Sequence, residues 1–136
     1  MGNDGPSILS DRRGQWGLGS AALLLLGSVT PWATAGPFTK NGLDGDGVLT
    51  LVIALLVGGL IVARRFPRIA LGLAVVSLAI TIIDAVDVSG VGGGLFDVQV
   101  GWGLILALLA SVSLVAWGVV GLRRGSPAPA ASDAAA

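Results

Sequence analysis

Residues 48–83 read VLTLVIALLVGGLIVARRFPRIALGLAVVSLAITII, and this stretch decides how the chain folds. Two apolar runs, 48–63 and 69–83, flank Arg64, Arg65, Phe66, Pro67 and Arg68. The first run spans about 24 Å as a helix at 1.5 Å per residue. That is short for a bilayer core of about 30 Å, so snorkelling arginines or local thinning must help it across. The second run is shorter still before Asp84 interrupts it. The question is whether both are crossings with the arginine cluster as the turn between them.

The flanking segments answer it. An uncharged run covers 16–35, with Pro31 near its end and Gly36-Pro37 as a stop. Another covers 98–122. If the third run is dropped, Arg123 and Arg124 fall opposite Arg64, Arg65 and Arg68. With four crossings, all seven arginines (Arg12, Arg13, Arg64, Arg65, Arg68, Arg123 and Arg124) share one side. Lys40, Asp44, Asp46, Asp84, Asp87 and Asp97 share the other. Arginine excess marks the cytoplasmic face, so the partition supports the short helix and sets the orientation together.

Composition agrees. The 136 residues are 54% hydrophobic and 12% charged, against about 25% charged in a soluble domain. A chain this small cannot hide so much apolar surface in water. The formal net charge is zero, so no global field points to nucleic acid. Cys, His, Tyr and Glu are absent. This removes disulfides, thiolate chemistry, the commonest general base and the commonest transition-metal ligand. No cofactor is expected.

The aromatic residues mark depth. Trp16, Trp32, Trp102 and Trp117 sit near the expected helix ends, and Phe38, Phe66 and Phe96 lie in or beside connections. None falls in mid-helix, which suits an interfacial belt of anchors better than a soluble core. A competing reading takes Arg12-Arg13, the following apolar run and Ala33-Thr34-Ala35 as a cleavable signal peptide. The long polar lead and the Trp16/Trp32 bracket favour a retained helix. Inside the bilayer the only polar residues are hydroxyls: Ser28, Thr30, Thr50, Ser77, Thr81, Ser111 and Ser113. These are expected to bond to their own helix or to join neighbours. Small residues four apart (Gly17/Ala21, Ala54/Gly58, Gly59/Ala63, Ala70/Ala74, Ala107/Ser111) suggest close packing within the bundle.

The most structured polar segment is 40-KNGLDGDG-47, leading into 48-VLTL-51. Asp-Gly-Asp-Gly before an apolar residue matches the middle of an EF-hand calcium loop. In that register Gly42 stands at position one and Ile53 at position twelve, so the first carboxylate and the bidentate Glu are missing. Asp44 and Asp46 are therefore only weak metal candidates. The simpler reading has glycines turning the chain and carboxylates favouring the positive end of the second helix.

The same ten residues, Gly42-x-Asp44-Gly45-Asp46-Gly47-x-x-Thr50-Leu51, resemble the lead-in to the second helix of small four-helix membrane proteins of actinobacteria or their phages. The resemblance implies topology and carries no activity. An excess of Arg over Lys and the Ala, Gly, Val and Leu bias fit a GC-rich genome of that kind. In outline the chain is also similar to claudin-type four-helix proteins, but it lacks their paired extracellular cysteines.

The expected fold is all-α: a four-transmembrane-helix, up-down-up-down bundle with short connections. Residues 1–15 form a cytoplasmic tail and 16–124 the membrane domain, with helices near 16–35, 48–63, 67–88 and 98–122. Residues 125–136 form a disordered Pro/Ala-rich cytoplasmic tail. Lys40, Asp84, Asp87 and Asp97 make an outer polar rim. The expected function is a non-enzymatic accessory or interaction protein of the cytoplasmic membrane. Its partners are the lipid bilayer and a membrane protein or further copies of itself. A holin-like or exclusion protein of a phage and an oligomeric channel are the alternatives.

Overall fold

The first helix ends at Val29, six residues before the run of apolar residues does. A computed structural model describes residues 10–64, 66–90 and 98–125. The order is α1 (Arg12–Val29), β1 (Pro31–Ala35), β2 (Phe38–Asn41), a 3-10 turn (Gly42–Asp44), α2 (Gly47–Val62), α3 (Pro67–Gly90), β3 (Val98–Val100) and α4 (Trp102–Gly125).

The expectation of an all-α chain with short connections is therefore corrected at one end. Pro31 has no N–H to extend α1 and biases Thr30 away from helical geometry, and Thr30 is extended (φ −90°, ψ 166°). The chain then enters a three-stranded antiparallel sheet of order β2-β1-β3. Ala35 pairs with Phe38, leaving Gly36-Pro37 as a two-residue turn. Gly36 takes φ +55° while proline fixes the next φ negative, which is the type II′ arrangement that suits hairpin twist. Ala33 to Ala35 also pair with Val98 to Val100, so the start of α4 is tied to the end of α1. Gly101 N–H completes this link by donating to the Trp32 carbonyl at 2.7 Å.

At its start α1 reaches further back than expected. Asp11 caps it, its Oδ1 accepting from Arg13 N–H at 3.1 Å, so Arg12 and Arg13 belong to the helix rather than to a tail. α2 and α3 fall close to their expected bounds, whereas α4, expected over 98–122, begins only at Trp102 because Val98 to Val100 pair with β1, and it runs on to Gly125. Pro67 opens α3, where its missing N–H costs nothing. Arg123 and Arg124 occupy the last turn of α4, where the helix dipole favours cations.

The helices form a ring in which α1 packs on α2 and α4, and α3 packs on α4 and α2. The α1/α4 face is the most extensive and α2/α3 the least. Close approach rests on small residues. A Cβ on Gly27 would lie 2.7 Å from the Ala107 nitrogen, so α1 and α4 meet nearly backbone to backbone there. Ala21, Ala54, Ala70, Ala74, Ala107 and Ala110 are all buried. Of the five small pairs, Gly59/Ala63 faces outward with open space before Gly59. Leu24, Val57, Leu104 and Leu114 fill the interior.

Larger side chains point the other way. α2 exposes Val48, Leu49, Val52, Leu55 and Leu56, and α3 exposes Ile69, Val75, Val76, Ile82 and Ile83. Leu23, Leu26, Ile105, Leu109 and Val112 do the same on α1 and α4. By length and composition α3 and α4 are each able to cross a membrane, and α2 is a shorter apolar helix.

Candidate functional site

Three groups of polar residues are built into this scaffold: hydroxyls between the helices, an acidic group at the sheet end, and arginines at the opposite end. The hydroxyls come first because the packing defines them. Ser28 Oγ and Thr50 Oγ1 lie 2.9 Å apart and join α1 to α2. Ser20 and Ser113 meet at 2.7 Å across α1/α4, and Ser77 and Ser111 at 2.9 Å across α3/α4. Each pair sits where small residues let two helices approach, and Ser28, Thr50, Ser77 and Ser111 are fully buried. Three of the six also reach a carbonyl of their own helix: Ser28 that of Leu24, Thr50 that of Gly47 and Ser111 that of Ala107. Ser28 and Thr50 have one hydroxyl proton each, so one of them donates across the pair while the other donates to its own helix; both expected uses of the hydroxyls occur, and these hydroxyls are committed to packing.

At the sheet end, Asp44 Oδ2 accepts from Asn41 N–H at 3.2 Å and closes the 3-10 turn. Asp46 immediately precedes α2, and its carbonyl receives Leu49 and Thr50 N–H. Its side chain caps nothing. Asp84, on α3, lies within electrostatic reach of Asp46 and Asp87, with Lys40 as an opposing cation. Asp84 Oδ2 is buried without a hydrogen-bond partner among the described residues. The fold thus brings Lys40, Asp46, Asp84 and Asp87 together from three segments, while Asp97 lies outside the described residues. Among the described residues no three acidic side chains converge in a way that could hold a metal ion.

The tryptophans divide into two kinds. Trp16 and Trp102 are 41% and 79% exposed, as anchors facing the surroundings would be. Trp16 also donates to Ser113 Oγ at 2.9 Å. Trp32 and Trp117 are only 6% and 8% exposed. Trp32 folds under the sheet and donates to the Gly27 carbonyl at 2.7 Å, satisfying a carbonyl freed at the end of α1. It closes the sheet end from within and is not an outward anchor. Trp117 donates to the Arg13 carbonyl at 2.9 Å, and the Arg13 guanidinium lies 5.3 Å from its ring centroid. That guanidinium occupies the space a side chain on Gly121 would need.

Arg12, Arg64, Arg68, Arg123 and Arg124 are exposed at this same end, while Arg13 is half-buried. Arg65 lies outside the described residues. Sequence reasoning missed Asp11 as a cap, Arg13 as an inserted side chain, Ser20 as a buried hydroxyl paired with Ser113, and Gly27 and Gly121 as contact points. The Ser10-Asp11 pair just before the helix was the available signal for the first. The others depend on which side of a helix meets which neighbour. No family model matches the chain, and neither a curated protein nor a solved structure matches it.

Proposed function

We propose that this chain is a multi-pass integral protein of the cytoplasmic membrane. Its four helices cross up-down-up-down, with the arginine end and both termini in the cytoplasm. It acts without catalysis, by association with other membrane proteins or with copies of itself. The observation that carries the reading is the placement of side chains: many large Leu, Ile and Val residues face outward on all four helices, while Gly, Ala, Ser and Thr make the close contacts between helices around a small core of Leu24, Val57, Leu104 and Leu114. Burying one large aliphatic side chain fully is worth about 1.5–3 kcal/mol. The outward faces of four helices therefore favour an apolar solvent by something on the order of tens of kcal/mol, more than the whole stability of a typical domain. Lipid supplies that solvent, and small residues with hydroxyl pairs are how helices associate within it.

Two further points support association rather than chemistry. Six interior hydroxyls form interhelical pairs, and Thr81 bonds back to carbonyls of its own helix. Gly59 and Ala63 present a small-residue surface outward on α2.

Two experiments test the membrane reading. A reporter active only outside the cell, fused after Ala136, is expected to stay silent, and the same reporter fused within the β1–β2 hairpin at Gly36 to be active. Leu55 is 57% exposed at the middle of α2. In water Leu55→Asp would be harmless. In a membrane it costs about 2.5–3.5 kcal/mol and is expected to abolish insertion. A stable Leu55→Asp variant, or an active C-terminal reporter, defeats the proposal.

A further inference from the structure

A cavity of about 270 Å³ opens between the helices at the arginine end. Arg13 and Arg64 supply its charge, and Trp117, Ile61, Pro67 and Ala70 supply apolar walls. Resting on the membrane reading above, we infer that this cavity holds the phosphate of an anionic phospholipid headgroup drawn from the inner leaflet.

Three observations converge there. Arg13 Nε is buried without a hydrogen-bond partner among the described residues, although a guanidinium can donate from every nitrogen. The Trp117 ring, 5.3 Å from the guanidinium, favours keeping the Arg13 side chain beside the cavity. Arg64 follows the C-cap of α2 and takes φ +51°, a left-handed conformation common just past a helix end, which leaves it at the cavity wall. Asp11 also borders the cavity; its Oδ1 accepts from Arg13 N–H, and its charge offsets part of that of the two arginines. A phosphodiester offers two anionic oxygens to the guanidinium forks, and its acyl chains leave along the apolar wall. Basic pockets between helices on the cytoplasmic side suit that chemistry.

The test is native mass spectrometry of the full chain in detergent, titrated with phosphatidylglycerol, phosphatidylcholine or glycerol 3-phosphate. Phosphatidylglycerol is expected to bind the parent most tightly. Arg13→Gln is expected to weaken it about tenfold, as the loss of a charged hydrogen bond implies. Arg64→Asn is the variant that keeps the fold, since asparagine tolerates a left-handed φ better than arginine, and it is expected to weaken binding by a similar factor. Arg123→Gln with Arg124→Gln removes two exposed arginines from the same end and is expected to leave binding unchanged. Equal losses in both sets would mean diffuse surface charge and overturn the site. Binding unaffected by Arg64→Asn overturns it too. Glycerol 3-phosphate binding as tightly as the lipid would overturn the lipid as the source. Failure of the membrane reading is separable, since the parent would then remain soluble without detergent.

Discussion

Arg13 and Trp117 hold each other twice: the Trp117 indole donates to the Arg13 carbonyl at 2.9 Å, and the Arg13 guanidinium stands 5.3 Å from the Trp117 ring centroid. Residues at opposite ends of the sequence thereby join the start of α1 to the last turns of α4. Trp117→Phe removes the N–H donor and weakens the ring's attraction for the cation. A neutral hydrogen bond is worth about 0.5–1.5 kcal/mol and an exposed cation–π pair about 0.5–1 kcal/mol. The variant is expected to lose about 1–2 kcal/mol of stability by those two contributions, read from unfolding in mixed detergent micelles. A loss no larger than for an exposed control such as Trp102→Phe would show that the clasp contributes nothing.

Ser28 and Thr50 give a sharper test of how the helices adhere. Their hydroxyls meet at 2.9 Å in a fully buried position. Yet Ser28 also reaches the Leu24 carbonyl and Thr50 the Gly47 carbonyl, so neither is orphaned when its partner is removed. A double-mutant cycle with Ser28→Ala and Thr50→Val is expected to give a coupling of about 0.6 kcal/mol, the average for such bonds in membranes. A coupling above about 2 kcal/mol would mean that the backbone alternatives are not real ones.

The sequence made the middle of the molecule legible and left its ends obscure. The bounds of α2 and α3 are readable because Asp46-Gly47, Arg64 and Pro67 punctuate an otherwise apolar text. Residues 31–35, Pro-Trp-Ala-Thr-Ala, are as apolar as helix, so hydropathy alone extends α1 through them. Only the strand partners, residues 38–41 and 98–100, make them a sheet. Those partners are distant in sequence and too short to announce themselves. The tryptophans teach a related lesson. Linear position gives depth along the bundle, but not the side of the helix that faces in. Trp117 follows the buried Leu114 by three residues and precedes the buried Gly121 by four, which sets it on the inner face. The outer group was legible as a set of charges. That Asp46 and Asp84 are neighbours follows only from the antiparallel packing of α2 and α3.

Glycines separate the inner from the outer surface by the sign of a single substitution. Gly27→Ala places a methyl 2.7 Å from the Ala107 nitrogen, and backbone cannot yield as a side chain would. It is expected to cost about 1–3 kcal/mol as overpacking. At Gly59 an added methyl would meet nothing within 4 Å. Gly59→Ala is expected to be neutral or to stabilise by up to about 1 kcal/mol through helix propensity. Thermal unfolding of both variants in detergent checks the pair. Equal effects would contradict the close α1/α4 contact.

Asp44 and Asp46 shape the turn into α2, and the structure separates their roles. Asp44 accepts from Asn41 N–H, a bond that an asparagine oxygen can also accept. Asp46 adds negative charge next to the first turn of α2, worth about 0.3–1 kcal/mol. The same charge also crowds Asp84, which has Asp87 beside it as well, so its removal relieves repulsion. The two effects oppose each other. Asp44→Asn with Asp46→Asn is therefore expected to shift stability by less than about 1 kcal/mol, the size of the helix-end effect alone. Calcium of useful affinity needs about six to eight oxygens, and Asp44 is already engaged with the backbone. Micromolar calcium is accordingly expected to leave the melting temperature of parent and double variant unchanged in detergent. If calcium raised the parent's melting temperature and not the double variant's, the two carboxylates would be ligands, and the structural account of this turn would be wrong.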